Sequence, residues 1–320
     1  MLPRDPNSIV SYPPESLPAL PLEQWQDTCT TLHMLTQIVG KIRLELSPLM
    51  NHWWQVPLYL TTRGLTTSPM YSGNLGVQID FDFIDQLLRI QSSSGETRTI
   101  SLTARPIAAY YRELMDALHA MGIPVKIWTV PVEVDERIPF ELDQTHAAYD
   151  PLYAWRFWQV LFQVDRVMKL FRSRFRGKAS PVHFFWGSFD LAATRFSGRT
   201  APLMQRSHNV ARYVMQEAYS NEECSCGFWA GTGLGEPAFY AYAYPQPAGY
   251  TEFPVQPAQA YFNSAIGEFV LPYEAVRTSP HWEELVLSFF QSTYEAAATL
   301  AKWDRQTLEP RAFVKPDTHD

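Results

Sequence analysis

The chain has few cysteines and no long apolar run, and these two shortages exclude several classes of protein. Its 320 residues contain only 3 cysteines, and Cys224 and Cys226 are separated by a single residue, so a disulfide framework is not indicated. No stretch approaches the length needed to cross a bilayer, and residues 1–21 lack the apolar centre of an export signal. We therefore expect a reduced, cytoplasmic protein with no membrane partner.

Positive charge is also scarce. Lys and Arg number 26 against 33 Asp and Glu, which gives a formal net charge of −7. A protein that binds a polyanion carries an excess of Lys and Arg, so we expect no nucleic-acid partner. Hydrophobic residues make up 46% of the chain and aromatic residues 14%, which predicts a large core and an aromatic-rich interior or cleft.

Several motifs of known chemistry are missing as well. The glycine-rich segment 231–235 lacks the lysine of a phosphate-binding loop and precedes a strand, so a flexible loop is the favoured interpretation. The sequence contains no Gly-x-Ser-x-Gly turn, no His-Glu-x-x-His helix and no Cys-x-x-Cys pair. It therefore identifies neither a reaction nor a cofactor.

The apolar pattern predicts helices alternating with antiparallel strands. Two stretches, 51–64 and 182–199, each begin with His and aromatic residues and reach an Arg beside a Gly. Around both we predict the same order: helix, His-led strand, alternating strand, Gly-Glu hairpin, helix. We interpret this as an α+β fold of two pseudo-duplicated halves, each a mainly antiparallel sheet flanked by two helices, packed into one globular unit. Chance similarity is the alternative, because the halves share little residue identity.

The predicted organisation has four parts. Residues 1–20 are an extended, proline-rich arm, 21–142 the N-terminal half, 143–305 the C-terminal half with inserted loops, and 306–320 a flexible tail. Apolar spacing and alternation predict the individual elements. The helices fall near 21–47, 106–121, 152–175, 210–218 and 282–303, and the strands near 52–63, 77–83, 87–90, 97–102, 125–130, 182–199, 239–244 and 261–271.

Four runs carry a resemblance to a known family: Thr31–Arg43, Asn51–Trp54, Pro181–Asp190 and Pro237–Tyr244. They resemble an uncharacterised bacterial family catalogued only as a domain of unknown function, number 5996. The resemblance extends over nearly the whole chain, from Leu17 to Trp303. Because that family brings no established activity, the resemblance implies no substrate, and the residues themselves must indicate the site.

Histidines inside aromatic runs are the first candidates for chemistry. His52 and His183 open the two predicted equivalent strands, and with Asp190 they form the predicted catalytic set for proton transfer. His33 supplies a further nitrogen, but none of the three histidines has a short metal-ligand spacing, and no metal site is predicted. The alternative is that each imidazole satisfies buried backbone groups.

Arginines at the ends of the predicted strands are the second group. Arg63, Arg195 and Arg199 lie close to glycines, where a guanidinium can clamp a carboxylate or phosphate through two parallel hydrogen bonds. An internal ion pair to Glu96 or Glu268 is an equally reasonable interpretation.

Aromatic and polar stripes complete the predicted site. Trp186, Tyr240 and Tyr242 form its walls, because a row of phenols opposite small residues suits a flat or apolar ligand. A polar line on the first helix, His33, Gln37 and Lys41, is predicted to contact the substrate. The alternative is that the rings are simply core.

These residues together favour a small-molecule enzyme of unassigned reaction. Its His/Arg/aromatic cleft lies between the two halves and acts on an anionic or aromatic metabolite. A non-catalytic ligand-binding or assembly protein that uses the same cleft is the alternative. The only partner predicted is a small-molecule ligand, and the oligomeric state is undetermined.

Overall fold

Two antiparallel sheets dominate the computed structural model, which describes residues 17–204 and 210–309. Each sheet has six strands, and the first has the order β1-β2-β4-β5-β6 with β3 paired to β4. Its strands are β1 (Tyr59–Leu60), β2 (Gly64–Thr66), β3 (Met70–Ser72), β4 (Leu75–Asp82), β5 (Leu87–Ser92) and β6 (Thr97–Ser101).

The second sheet is formed from the C-terminal part of the chain. Its strands are β7 (His183–Phe185), β8 (Asp190–Thr200), β9 (Asn221–Trp229), β10 (Ala238–Tyr244), β11 (Tyr261–Asn263) and β12 (Glu268–Pro272), in the order β11-β12-β10-β9-β8-β7. The predicted α+β class with two sheet-based halves is therefore confirmed. An ancestral duplication and the boundaries 21–142 and 143–305 stay predictions.

Helices pack against the sheets, and the third begins where the sequence indicates. The side chain of Asp150 accepts hydrogen bonds from the amides of Leu152 and Tyr153, and Pro151 occupies the first turn, so the third helix starts there. None of the described helices combines the length and apolarity that crossing a membrane requires. The helices are α1 (Gln26–Glu45), α2 (Ile107–Ala120), α3 (Pro151–Ser173), α4 (Arg212–Ala218), α5 (Tyr273–Arg277), α6 (Trp282–Leu300) and α7 (Arg305–Leu308), with 3-10 turns at Leu22–Gln24, Asn51–Trp53 and Phe140–Leu142.

Backbone hydrogen bonds join the two sheets. Leu58, just before β1, and Phe184 of β7 exchange backbone hydrogen bonds of 2.9 Å in both directions. Both side chains are fully buried, and the ring of Phe184 packs against those of Phe157 in α3 and Phe189. One continuous core therefore serves both halves.

The two faces of the second sheet differ in what covers them. One face packs on α3 and α6, where Phe239 contacts Phe290 and Arg195 lies over the ring of Phe171. Side chains alternate along a strand, so Asp190 of β8 and Tyr240 of β10 point to the opposite face. We call this second surface the open face.

The predicted His-led strands are wrong in detail. His52 belongs to a 3-10 turn and has a φ of 55°, a left-handed conformation that no strand residue adopts. The stretch 182–199 is two strands, β7 and β8, joined by a tight turn that contains Phe189 at φ 58°. The sequence echo therefore does not correspond to two equivalent long strands.

Three further differences concern β9, the segment 125–130 and the N-terminal arm. The strand β9 was not predicted, whereas the strand expected at 125–130 is an extended connection without ladder bonds. Leu17 and Leu20 of the predicted arm are buried, and the Tyr273 hydroxyl donates to the carbonyl of Pro18 at 2.7 Å. Residues 1–16 and 310–320 lie outside the described residues.

Close packing between α1 and the β7–β8 turn gives a first prediction. A Cβ on Gly40 would lie 2.2 Å from the ring of Trp186, whose Nε1 donates to the carbonyl of Val56 at 2.9 Å. Alanine normally stabilises a helix relative to glycine by about 1 kcal/mol, but here it overpacks the core. We expect Gly40→Ala to lower the free energy of unfolding by about 1–3 kcal/mol in a urea titration.

The matched control is Gly76→Ala, because the nearest atom to a Cβ at that position is 3.4 Å away. A stability change of the same size in both variants would contradict the proposed clash between Gly40 and Trp186.

Candidate functional site

The open face of the second sheet carries a cluster of carboxyl and phenol groups, which we call the acidic hollow: Glu133, Asp190, Glu223, Glu268, Tyr219, Tyr240 and Tyr242. The sheet supplies most of these side chains from β8, β9, β10 and β12. Glu133 comes from the connection between α2 and the 3-10 turn at Phe140–Leu142, and Tyr219 follows α4.

Asp190 lies at the centre of the acidic hollow. Only 6% of it is exposed, and it accepts hydrogen bonds from the hydroxyls of Ser188 and Tyr240. Burial raises the pKa of the Asp190 carboxyl to about 6, although both hydroxyls favour the ionised form. An aspartate with this pKa is mostly ionised at neutral pH and can still accept and release a proton.

Glycine at position 227 allows Tyr240 to reach Asp190. Gly227 lies on β9, between the strands that carry these two residues, and a Cβ there would be 2.5 Å from the Tyr240 hydroxyl. The Tyr240 side chain therefore passes over β9 at Gly227, where β9 has no side chain. A residue with a Cβ would also meet the carbonyl of Leu191 at 2.1 Å.

Two glutamates flank Asp190. Burial raises the pKa of the Glu133 carboxyl to about 7 and that of Glu268 to about 8, and in both cases the negative charge of Asp190 adds to the effect. Glu133 lies next to Gly187 in the β7–β8 turn, since a Cβ there would be 2.1 Å from its Oε1. Glu268 precedes Phe269, whose register partner is Ala241, so it lies beside Tyr242.

A second group of residues extends the hollow along the sheet. The Tyr219 hydroxyl donates to that of Tyr242 at 3.1 Å, and the rings of Tyr240 and Tyr242 stack with centroids 6.3 Å apart. Glu223 is 5% exposed, and its burial holds the carboxyl pKa well above its ordinary value despite the nearby charge of Lys178. Carboxyl and aromatic groups therefore alternate on one surface.

Water reaches part of this surface. Glu133 is exposed, and Glu268, Tyr219 and Tyr242 are partly exposed, while desolvation raises the pKa of each. The described side chains include no set of three or more His, Cys, Asp or Glu placed to hold a metal ion.

The polar side chains on α1 hydrogen-bond to backbone segments next to the hollow. Gln37 makes two hydrogen bonds with the backbone of Val132, at 2.7 and 2.8 Å, and the Lys41 ammonium donates to the carbonyl of Val130 at 2.7 Å. His33 Nε2 donates to the carbonyl of Gly187 at 2.9 Å, and burial lowers its pKa to about 4. Gln37 and Lys41 thus fix the segment that carries Glu133, and His33 holds the β7–β8 turn beside it. Direct contact of these three residues with a substrate stays a prediction.

His52 holds α4 next to the hollow. Its Nδ1 donates to the carbonyl of Ala218 at 2.9 Å, so its Nε2 is the acceptor for the Lys178 ammonium at 2.5 Å. Its backbone amide donates to Glu217 Oε1 at 3.0 Å. Burial lowers the pKa of His52, which keeps the ring neutral in this arrangement.

The sequence predicts that His183 and His52 face each other across a shared cleft, but in the structure they do not. The indole of Trp54 lies between them, with its centroid 5.4 Å from the His52 ring and 6.0 Å from the His183 ring. Trp186 does not line the hollow either, because it packs on Gly40. Catalytic roles for His52 and His183 stay predictions, and the His183 ring packs among those of Trp54, Tyr59 and Phe185.

The three arginines contact protein groups, although Nε and Nη1 of Arg195 have no hydrogen-bond partner among the described residues. Arg63 pairs with Asp82 at 2.7 Å and Asp85 at 2.8 Å, so the expected ion pair exists with partners other than Glu96. Arg199 donates to Glu222 at 2.7 Å and to the carbonyl of Ala301 at the end of α6, also at 2.7 Å.

Arg195 lies on the helix-covered face, opposite to the acidic hollow. Its guanidinium is stacked on Phe171 at 3.5 Å and donates to the carbonyl of the same residue. The predicted arginine clamp is therefore not assembled on the open face.

A cavity of about 290 Å³ adjoins the hollow at the far end of β9 and β10. It shares Glu223 and Tyr244 with the surroundings of the hollow, since the Tyr244 ring lies 5.1 Å from that of Tyr219. Its remaining lining includes Arg199, Glu222 and Trp303. The volume is sufficient for a small metabolite.

A comparison with known families gives one match. Residues 17–310 match the model of DUF5996, a family of unknown function. The chain belongs to this family. No curated protein and no solved structure matches the chain. Membership in DUF5996 confirms the resemblance found in the sequence and assigns no chemistry to the acidic hollow.

Sequence reasoning missed Glu133 and gave another role to Glu268 in this DUF5996 chain. Glu133 lies in a proline-containing connection with no periodic pattern, and its position depends on contacts with residues about a hundred positions away in α1. Glu268 was considered only as a partner for an arginine. The signal that could have found it is the adjacency of β10 and β12, which places it beside the tyrosine row.

One glycine allows the geometry of the hollow to be tested with little change elsewhere. An alanine at Gly187 meets only the Glu133 carboxylate, the end of a flexible side chain, so this carboxylate must move. We expect Gly187→Ala to change the free energy of unfolding by about 1 kcal/mol or less. It should weaken ligand binding in the hollow about tenfold, as measured by calorimetry. Unchanged binding would show that Glu133 does not contribute.

Proposed function

We propose that this chain is a small-molecule enzyme that exchanges protons with a cationic, amine-bearing metabolite held in the acidic hollow. The observation that carries the proposal is the convergence of Asp190, Glu133 and Glu268 beside Tyr240 and Tyr242. The three free, buried cysteines suit a reducing compartment such as the cytoplasm.

The preference for a cation follows from charge and ring chemistry. The hollow has an excess of carboxyl groups, and a bound ammonium would lie against ring faces whose quadrupoles attract cations. The arginines that had suggested an anionic metabolite are engaged by Asp82, Glu222 and a backbone carbonyl instead. A cationic group therefore replaces the anionic one in the proposal, and an aromatic portion of the ligand remains compatible with the tyrosines.

The preference for proton transfer follows from the spread of pKa values. At neutral pH Asp190, with a pKa of about 6, is mostly a base, whereas Glu268, with a pKa of about 8, is mostly an acid. Neighbouring carboxyls whose environments separate their pKa values provide an acid and a base in one site. Glu133, with a pKa of about 7, is poised between them.

Titration calorimetry with 1,4-diaminobutane and tetramethylammonium tests the proposal. Both cations should bind at neutral pH and release protons, because a nearby positive charge lowers the pKa values of partly protonated carboxyls. The released protons are counted by repeating the titration in buffers with different ionisation enthalpies. Absence of binding by either cation would contradict the proposal.

A second experiment distinguishes an enzyme from the alternative, a non-catalytic protein that only binds a ligand in the hollow. Amines that bind are then incubated with the protein and followed by NMR for chemical conversion. Tight binding without conversion of any amine would favour the binding protein.

A further inference from the structure

Arg43 and His183 carry buried side-chain nitrogens that have no hydrogen-bond partner among the described residues. Arg43, in the last turn of α1, is 7% exposed, and its Nε and Nη1 have no hydrogen-bond partner within the described chain. His183, the first residue of β7, is 1% exposed, and neither of its ring nitrogens has a partner within the same residues. Buried polar groups are nearly always hydrogen-bonded, so this pair requires an explanation.

Both side chains contact the same tyrosine. The Arg43 Cζ lies 5.6 Å from the ring centroid of Tyr59, and the His183 ring centroid also lies 5.6 Å from it. Trp54 and Phe185 complete the wall around His183, at 6.0 and 5.4 Å between centroids. The unpartnered nitrogens are therefore enclosed in an aromatic setting that bulk water does not reach.

The charges around this setting are all positive. The neighbouring group that acts on the Arg43 guanidinium is the Tyr59 hydroxyl rather than a carboxylate. Arg172 of α3 donates from its Nε to the carbonyl of Ser180 at 2.6 Å. Burial, followed by the charges of Arg43 and Arg172, lowers the pKa of His183 to about 3. The imidazole is therefore neutral at physiological pH and offers one N–H donor.

A water molecule would satisfy hydrogen bonds here but would leave the arginine charge uncompensated. Desolvated guanidinium groups are retained where a negative partner compensates them. We propose that Arg43 and His183 bind a small monovalent anion, of the size of chloride, beside Tyr59. Guanidinium and imidazole N–H groups both donate to such an ion.

Chloride and bromide are the probes for this site. The full-length protein is melted at constant ionic strength while sodium gluconate, whose anion is too large for the site, is replaced by sodium chloride. The melting temperature of the natural protein should rise by about 3 °C as chloride reaches about 100 mM, and the rise should saturate. Equal melting temperatures in the two salts would overturn the proposal.

Two variants isolate the contribution of Arg43. Arg43→Gln should abolish the chloride response, whereas Arg166→Gln should keep it, because Arg166 is half exposed and paired with Glu283. Equal chloride responses in the two variants would overturn the proposal.

Crystals of the natural protein grown in bromide provide a test that does not depend on a variant folding. An anomalous peak within hydrogen-bonding distance of both Arg43 and His183 is expected. Absence of a peak there, with ordered water or nothing in its place, would overturn the proposal.

Discussion

Asp190→Asn should weaken the binding of 1,4-diaminobutane about 100-fold, the expected consequence of removing a buried charge from the centre of a site. Asn keeps the shape of the side chain and can still accept one of the hydrogen bonds from Ser188 and Tyr240. The loss therefore reports the charge of Asp190 rather than a collapse of the fold.

The same substitution has a second expected effect. The charge of Asp190 contributes to the raised pKa values of Glu133 and Glu268, so both should fall in the Asp190→Asn protein. The matched control is Asp165→Asn in α3, an aspartate whose pKa is also raised by burial but which pairs with Lys169. If the two variants lost affinity equally, Asp190 would have no special place in binding.

Glu268→Gln should stabilise the protein at alkaline pH. The pKa of Glu268 is raised by burial to about 8 from 4.5, so between these values the folded state holds a proton that the unfolded state releases. Stability therefore decreases as pH rises through this window, and a glutamine, which has no proton to lose, avoids that decrease. We expect the variant to gain roughly 2 kcal/mol over the natural protein on going from about pH 5 to pH 9, a figure reduced for partial solvent contact.

Urea titrations at several pH values measure this gain. His33 and His183 act in the opposite sense, because their lowered pKa values destabilise the fold as pH falls below about 6.5. They contribute equally to both proteins, so the difference between the two curves isolates Glu268. Glu284→Gln, at an exposed position on α6, is the matched control. A Glu268→Gln curve parallel to that of the natural protein would show that the Glu268 carboxyl titrates normally.

Local patterns predicted many of the elements that build the fold. The Asp150-Pro151 start of α3, the alternation of β4 and the tyrosine row of β10 are all present as expected. Each depends on residues within one element, where capping and side-chain periodicity act. The strand β9 was missed because its sequence, Asn-Glu-Glu-Cys-Ser-Cys-Gly, has few of the β-branched residues that mark strands, and its place is set by pairing with β8 and β10.

The candidate site was only partly predictable for the same reason. Tyr240, Tyr242 and Asp190 were found because they stand out within apolar strands. Their association with Glu133 depends on hydrogen bonds from Gln37 and Lys41 of α1 to the backbone of the segment that carries Glu133. No local sequence pattern encodes these long-range contacts. The histidines and arginines attracted attention as polar residues in aromatic runs, and most of them satisfy backbone groups or carboxylates within the protein.

Carboxyl-carbon NMR of the free and cation-saturated protein tests the central claim most directly, with Asp190→Asn and Glu268→Gln used to assign the signals. If Asp190, Glu133 and Glu268 share one desolvated hollow, they should titrate at about 6, 7 and 8 in the free protein. All three values should fall when 1,4-diaminobutane saturates the site. Titration near the ordinary values of 3.8 and 4.5, unchanged by the cation, would contradict the account.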